Sequence, residues 1–249
     1  MAEGSSGVLN SPASRAAPSR LKRKFYLAMS VLLALMIFVG FWPSYYGPLM
    51  QGAADAPLIL HVHGVIYIGW MFLFIAQTTL AARGQIRAHR TVGSFGLGYG
   101  AVVWVVGIAV SFIAPALNVT SGEWTVDQAA EFLPIPLGDM ILFGSFLAAA
   151  AIYRGQPEIH KRLMMIATFA VVFAAAFRLQ NAGVPRPAAI VIWFVPLALA
   201  IAYDVKQRGR VHPVYWIGGV AMAIALLRLP FGTTETWLRL GRPIIEAMI

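Results

Sequence analysis

Seven long apolar blocks dominate the chain, at roughly residues 25–43, 57–82, 92–114, 133–153, 159–179, 187–204 and 213–231. Short polar stretches separate them. A helix needs about 20 apolar residues to cross a bilayer core, and each block is near that length. The pattern predicts an all-α fold, a polytopic membrane bundle of seven transmembrane helices over 25–231. Residues 1–19 are rich in Ser, Ala, Gly and Pro without periodicity, and with the basic run RLKRK they read as a disordered N-terminal tail over 1–24. Residues 232–249 read as an amphipathic segment lying in the membrane interface. The first block has the basic flank of a signal peptide, but Trp42-Pro43-Ser44-Tyr45-Tyr46 follows it instead of a small-residue cleavage site. It is read as a retained helix with an aromatic anchor.

Composition agrees. Of 249 residues only 12% are charged and 59% are hydrophobic, against about 25% charged in soluble domains, and the mean hydropathy is +0.73. The expected solvent is a lipid bilayer. The absence of cysteine excludes disulfides, thiolate metal sites and thiol catalysis. The net charge of +9 does not signal nucleic acid, because it is segregated by loop. Of 19 Lys and Arg residues, 14 lie in the tail and in the loops after the second, fourth and sixth blocks. The opposite loops carry Asp55, Glu123, Asp127 and Glu131. The positive-inside rule then places the N-terminus in the cytoplasm and the C-terminus outside.

Ionisable groups inside such blocks are costly and mark candidate sites. On the second block, His63, Tyr67, Trp70, Phe74 and Gln77 share one helical stripe, predicted to face the interior. His61 lies about 160° away on a regular helix, so His61 and His63 are metal candidates that a straight helix does not bring to one ion. His160 and Arg178 share a face of the fifth block, about 27 Å apart. Asp139 is the carboxylate placed clearly within an apolar block, and Arg178 is its natural counter-ion. His61, His63, Asp139 and Arg178, with Tyr67 and Gln77, are assigned to an outer-leaflet polar cluster.

On the cytoplasmic side, His89-Arg90, His160-Lys161-Arg162 and His212-Pro213 open three blocks. His89 and His160 suit the axial positions of one b-type haem, with Arg87, Arg90, Lys161 and Arg162 as partners for its propionates. The cofactor expected for the chain as a whole is one b-type haem or a bound metal ion. The third block carries Gly93, Gly96, Gly100 and Gly107 near one stripe, which suits close helix packing. No serine-hydrolase motif, phosphate loop or His-Glu-x-x-His sequence is present.

Taken together, His63-Gly64 with Trp70 and Gln77, His89-Arg90-Thr91-Val92-Gly93, Pro136-Leu137-Gly138-Asp139, His160-Lys161-Arg162-Leu163-Met164, and Tyr203-Asp204 with Arg208-Gly209-Arg210-Val211-His212-Pro213 resemble a group of uncharacterised bacterial seven-helix inner-membrane proteins. The likeness covers nearly the whole chain and implies a bacterial inner-membrane location without an activity. Helices 2 to 5 also resemble, more loosely, transmembrane b-type cytochromes, which implies histidine-ligated haem. Three functions follow as expectations. One is a haem- or metal-binding redox or assembly-related protein. Another is a small-molecule transporter or binding protein using the outer cluster. The third is a non-catalytic subunit held to other membrane subunits.

Overall fold

The computed structural model describes residues 20–52 and 56–249, and all regular structure among them is helical. Of the predicted disordered tail at 1–24, residues 1–19 lie outside the described residues, and Arg20–Lys24 form the first turn of a helix instead. Helix α1 (Arg20–Phe41) runs into a π-helical turn, Trp42–Tyr46, and a further turn, Gly47–Met50. The longer helices that follow are α2 (Leu58–Ala82), α3 (Ile86–Thr120), α5 (Pro134–Ile152), α6 (Pro157–Arg178), α7 (Arg186–Arg208) and α8 (Pro213–Ala225). Three short ones, α4 (Val126–Phe132), α9 (Arg228–Phe231) and α10 (Glu235–Glu246), lie at one end of the bundle. Among the described residues, seven helical stretches are long and apolar enough to cross a membrane. This is the architecture of an integral membrane protein.

Helix boundaries follow local chemistry. Proline occupies the first turn of α5, α6, α7 and α8, where its missing N–H costs nothing. Gly209 ends α7 in the left-handed conformation, φ 69°, which glycine adopts without a Cβ clash. Pro115 lies inside α3 near its end and is buried.

Helices α1, α2, α3, α5 and α6 touch in sequence and close into a ring, with α7 and α8 packed behind α6. Helix α6 is therefore the hub. In its apolar stretch 67% of residues are buried, against 17–39% for the other six. The small side chains Ala167, Ala170, Ala175 and Ala176 let neighbours approach it. Gly40 of α1 lies so close to the Ala175 backbone that a Cβ would overlap it. Large apolar side chains on the outer surface, such as Leu35, Phe72, Phe95, Ile141, Val191 and Trp216, are what a lipid-facing surface carries.

The glycine stripe of α3 is closed. A Cβ on Gly96 would lie 3.3 Å from Leu73, and one on Gly100 would lie 2.7 Å from Leu147 and 3.0 Å from Trp70. Close contact satisfies polar atoms as well. Tyr99 donates to the Ile66 carbonyl at 2.8 Å, Trp104 to Met140 at 2.9 Å and Trp193 to Phe169 at 2.8 Å. In hydrocarbon such groups need an internal acceptor.

Helix α10 packs on α4, burying Leu238, Gly241 and Ile245 against Ala129 and Ala130. Trp237 donates to the Ala130 carbonyl at 2.8 Å, and Arg242 forms a two-nitrogen contact with Asp127 at 2.7 and 3.1 Å. Asp127 and its hydrogen bonds raise the Arg242 pKa above the usual arginine range.

Candidate functional site

Polar groups collect at both ends of the bundle. One end carries the start of α3, the α5–α6 turn and the α7–α8 loop, rich in Lys and Arg; it is called here the basic face. The far half holds the starts of α2 and α5, the end of α6 and helix α9.

At the basic face the central feature is Arg162, 2% exposed in its side chain. Its Nε donates to Asp204 Oδ2 at 3.0 Å and its Nη2 to Asp204 Oδ1 at 2.5 Å. Nη1 donates to the Glu158 carbonyl at 2.6 Å and to Glu158 Oε2 at 2.8 Å. Asp204, fully buried, also accepts the His212 backbone N–H at 3.2 Å. Every guanidinium nitrogen has an acceptor, and the pair joins α6, α7 and the loop entering α8. His212 caps α8, its Nδ1 accepting from the Val214 N–H at 3.2 Å. Burial, then the charges of Arg162 and Arg208, hold its pKa below the usual histidine range.

Beside this lock, the rings of His89 and His160 lie 6.5 Å apart at 77°. His160 Nδ1 is 2.8 Å from the Ala150 carbonyl and His89 Nδ1 is 3.3 Å from that of Gln77. The amide of Gln77, turned so that both its ends are satisfied, donates to the His89 carbonyl at 3.0 Å and to His89 Nδ1 at 2.6 Å, and accepts from the Gly93 N–H at 3.1 Å.

Two corrections follow. Gln77 does not belong to the far cluster. It shares a stripe with His63 and Tyr67, but it sits at the opposite end of α2, because a stripe fixes angle around a helix and leaves depth free. Arg162 does not await a haem propionate, since Asp204 and Glu158 already hold it, and Glu158 also takes Lys161 at 2.6 Å. The filled glycine stripe leaves no slot for a porphyrin along α3.

The far half is arranged differently. Asp139, 4% exposed, pairs with Arg228 and not with Arg178: Nη2 of Arg228 donates to Oδ1 at 2.6 Å. The helical path continues from α8 through one tighter turn into α9 as a single span, Pro213–Phe231, and places Arg228 on the bare backbone of Gly138. Arg228 is 7% exposed and its Cζ lies 4.4 Å from the Phe173 ring centre. Its Nε and Nη1 are buried and have no hydrogen-bond partner. Arg178 sits over the Phe41 ring at 4.5 Å, with one contact of 3.4 Å to the Ala174 carbonyl. No carboxylate pairs with it among the described residues.

His61 and His63 diverge within the unbroken helix α2. His61 Nδ1 meets the Tyr45 hydroxyl at 2.7 Å. His63 lies against Tyr67, ring centres 4.1 Å apart, and its buried Nδ1 has no partner. The Tyr67 hydroxyl reaches the Val103 carbonyl at 3.2 Å and Met140 Sδ at 3.3 Å. Tyr67 is within electrostatic range of Asp139, and His63 of Arg178. Among the described residues, no three His, Asp or Glu side chains converge on a metal position.

Arg228 is not among the site residues expected from the sequence. The signal that singles it out is the one applied to Asp139: it lies inside the seventh apolar block. The Arg162–Asp204 pair left no such signal, since both residues sit where blocks end. No protein-family model matches the chain, and no curated protein or solved structure is similar to it.

Proposed function

We propose that this membrane protein binds a small polar solute in the far half of its bundle, at a site built from Arg228, Asp139, His63 and Tyr67, as a transporter or solute-binding protein. The observation that carries this reading is the buried Arg228 guanidinium with two unpartnered nitrogens. A buried donor left without an acceptor costs about 1–3 kcal/mol, and more on a charged group. Native membrane proteins keep such groups mainly where substrates or ions pass. The test uses the purified full chain in lipid nanodiscs and a panel of small charged and neutral solutes, read by thermal unfolding. At least one solute is expected to raise Tm, and Arg228→Met is expected to abolish the rise. A panel with no effect removes the proposal.

A second reading is favoured by the His89–His160 pair. Two metal–imidazole bonds of about 2.0 Å each bring ring centres to roughly 5–6 Å apart, so the rings at 6.5 Å would close in slightly on an ion. The carbonyl beside His160 Nδ1 is the outer contact that a metal-bound imidazole uses. The residues suit a transition-metal ion better than a haem sunk into the bundle, given the closed glycine stripe. An absorption spectrum and metal analysis of the purified protein test it. Absence of a Soret band and of bound metal after reconstitution ends the redox reading.

A further inference from the structure

We infer that the solute of the far-half site is a small monoanion that presents a carboxylate. The inference rests on the reading of that site as a solute-binding site and adds the chemistry of what it takes.

The donors at the site decide the sign of the ligand. Arg228 Nε carries one N–H and Nη1 carries two, all in the interior and none with an acceptor. Asp139 uses a single contact on Nη2, so the guanidinium keeps most of its hydrogen-bonding capacity. A guanidinium binds planar oxyanions through paired parallel N–H bonds. His63 Nδ1 is buried and unpartnered, and it donates in one tautomer.

Charge favours the same sign locally. Among the described residues, the buried charged side chains of the far half are the paired Arg228 and Asp139, while Arg178 and Glu131 are half-buried. A carboxylate can share the guanidinium with Asp139, whereas a cation gains nothing from its idle N–H groups. In this setting two unit charges a few ångströms apart interact by several kcal/mol even at an effective dielectric of about 20. Asp139 then competes with the ligand for Arg228. It holds the arginine in place without a ligand, and its own charge limits affinity.

That competition gives the experiment a sign. Full-chain protein in nanodiscs is titrated with acetate, octanoate, chloride, inorganic phosphate, acetamide and methylammonium, read by thermal unfolding. Acetate or octanoate is expected to raise Tm, while acetamide and methylammonium are not. Preference for octanoate identifies a lipid-borne carboxylate, and preference for acetate a water-borne one. Asp139→Asn keeps an oxygen acceptor for Arg228 and removes the competing charge, so carboxylate binding should tighten about tenfold or more. Should that variant fail to fold, Arg228→Lys carries the test: it keeps the charge, loses the planar fork, and should weaken carboxylate binding at least tenfold. Chloride and phosphate binding as well as carboxylate would overturn the carboxylate assignment. An Arg228-dependent response to acetamide or methylammonium, weaker carboxylate binding in Asp139→Asn, or unchanged binding in Arg228→Lys would overturn the inference and leave a solute site standing. No response to any solute would remove both.

Discussion

Two buried arginine–aspartate pairs, one at each end of the bundle, are built to different standards. Arg162 at the basic face meets Asp204, the Glu158 carboxylate and a backbone carbonyl, and none of its guanidinium nitrogens is idle. Arg228 in the far half meets one oxygen of Asp139 and leaves two nitrogens idle. Both arginines are almost fully buried. Desolvation alone therefore does not distinguish a lock from a site. Saturation does, because a fully bonded ion pair offers an incoming group nothing, and an incompletely bonded one keeps donors for it.

The contrast breaks most readily on single truncations. Asp139→Ala leaves Arg228 without any anionic partner and should cost about 3–5 kcal/mol. Asp204→Ala should cost less, about 1–3 kcal/mol, since Arg162 keeps Glu158. Denaturant titration in detergent compares them, and the reverse order would show that the far pair is the better supported of the two. Apolar double replacements sharpen the point. Arg228→Met with Asp139→Leu removes the unpaired donors and should stabilise by about 1–3 kcal/mol while ending solute binding. Arg162→Met with Asp204→Leu should destabilise, because the His212 N–H loses its acceptor and the links from α6 to α7 and to the loop entering α8 are cut. A stabilised second variant and a destabilised first would invert the assignment of lock and site.

A smaller effect is expected at Gly107. An added Cβ there would collide with the Tyr67 hydroxyl and the Met140 sulfur, so Gly107→Ala should cost about 1–3 kcal/mol. It should also weaken solute binding through Tyr67. Unchanged binding would remove Tyr67 from the site. The smallest effect is at His212. Its folded pKa lies below the ordinary value of about 6.5 because burial and nearby cations favour the neutral ring, whose Nδ1 caps α8. The stability it adds is complete above the unfolded pKa and is lost as pH falls from there through the folded one. The protection factor against hydrogen exchange at the Val214 amide, corrected for the intrinsic pH dependence of exchange, should fall as pH drops below about 6.5. His212→Asn, a good cap that does not titrate, should flatten that dependence.

How much of this was legible in the sequence depends on the range of the interaction concerned. The seven spans were legible because spanning requires only a local run of apolar residues. The boundaries of α5 through α8 were equally readable, since proline and glycine act on their own backbone. The stripe of α2 joins residues by angle, yet Gln77 lies at the basic end beside His89, because a stripe leaves depth along the helix free. Asp139 was visible as a charge inside an apolar block. Its partner was not, because Arg178 and Arg228 are both cations at far-side helix ends and only helix packing chooses between them.

The sequence by itself thus determined a seven-span helical membrane protein with a few ionisable groups that hydrocarbon would not tolerate alone. The tertiary structure decided which of those groups meet. Apolar length and turn chemistry are properties of neighbouring residues. The pairing of Arg162 with Asp204 and of Arg228 with Asp139 depends on which helices touch α6 and α5, and at what height. Positions 42 and 89 residues apart in the chain are set side by side by the packing of the whole bundle.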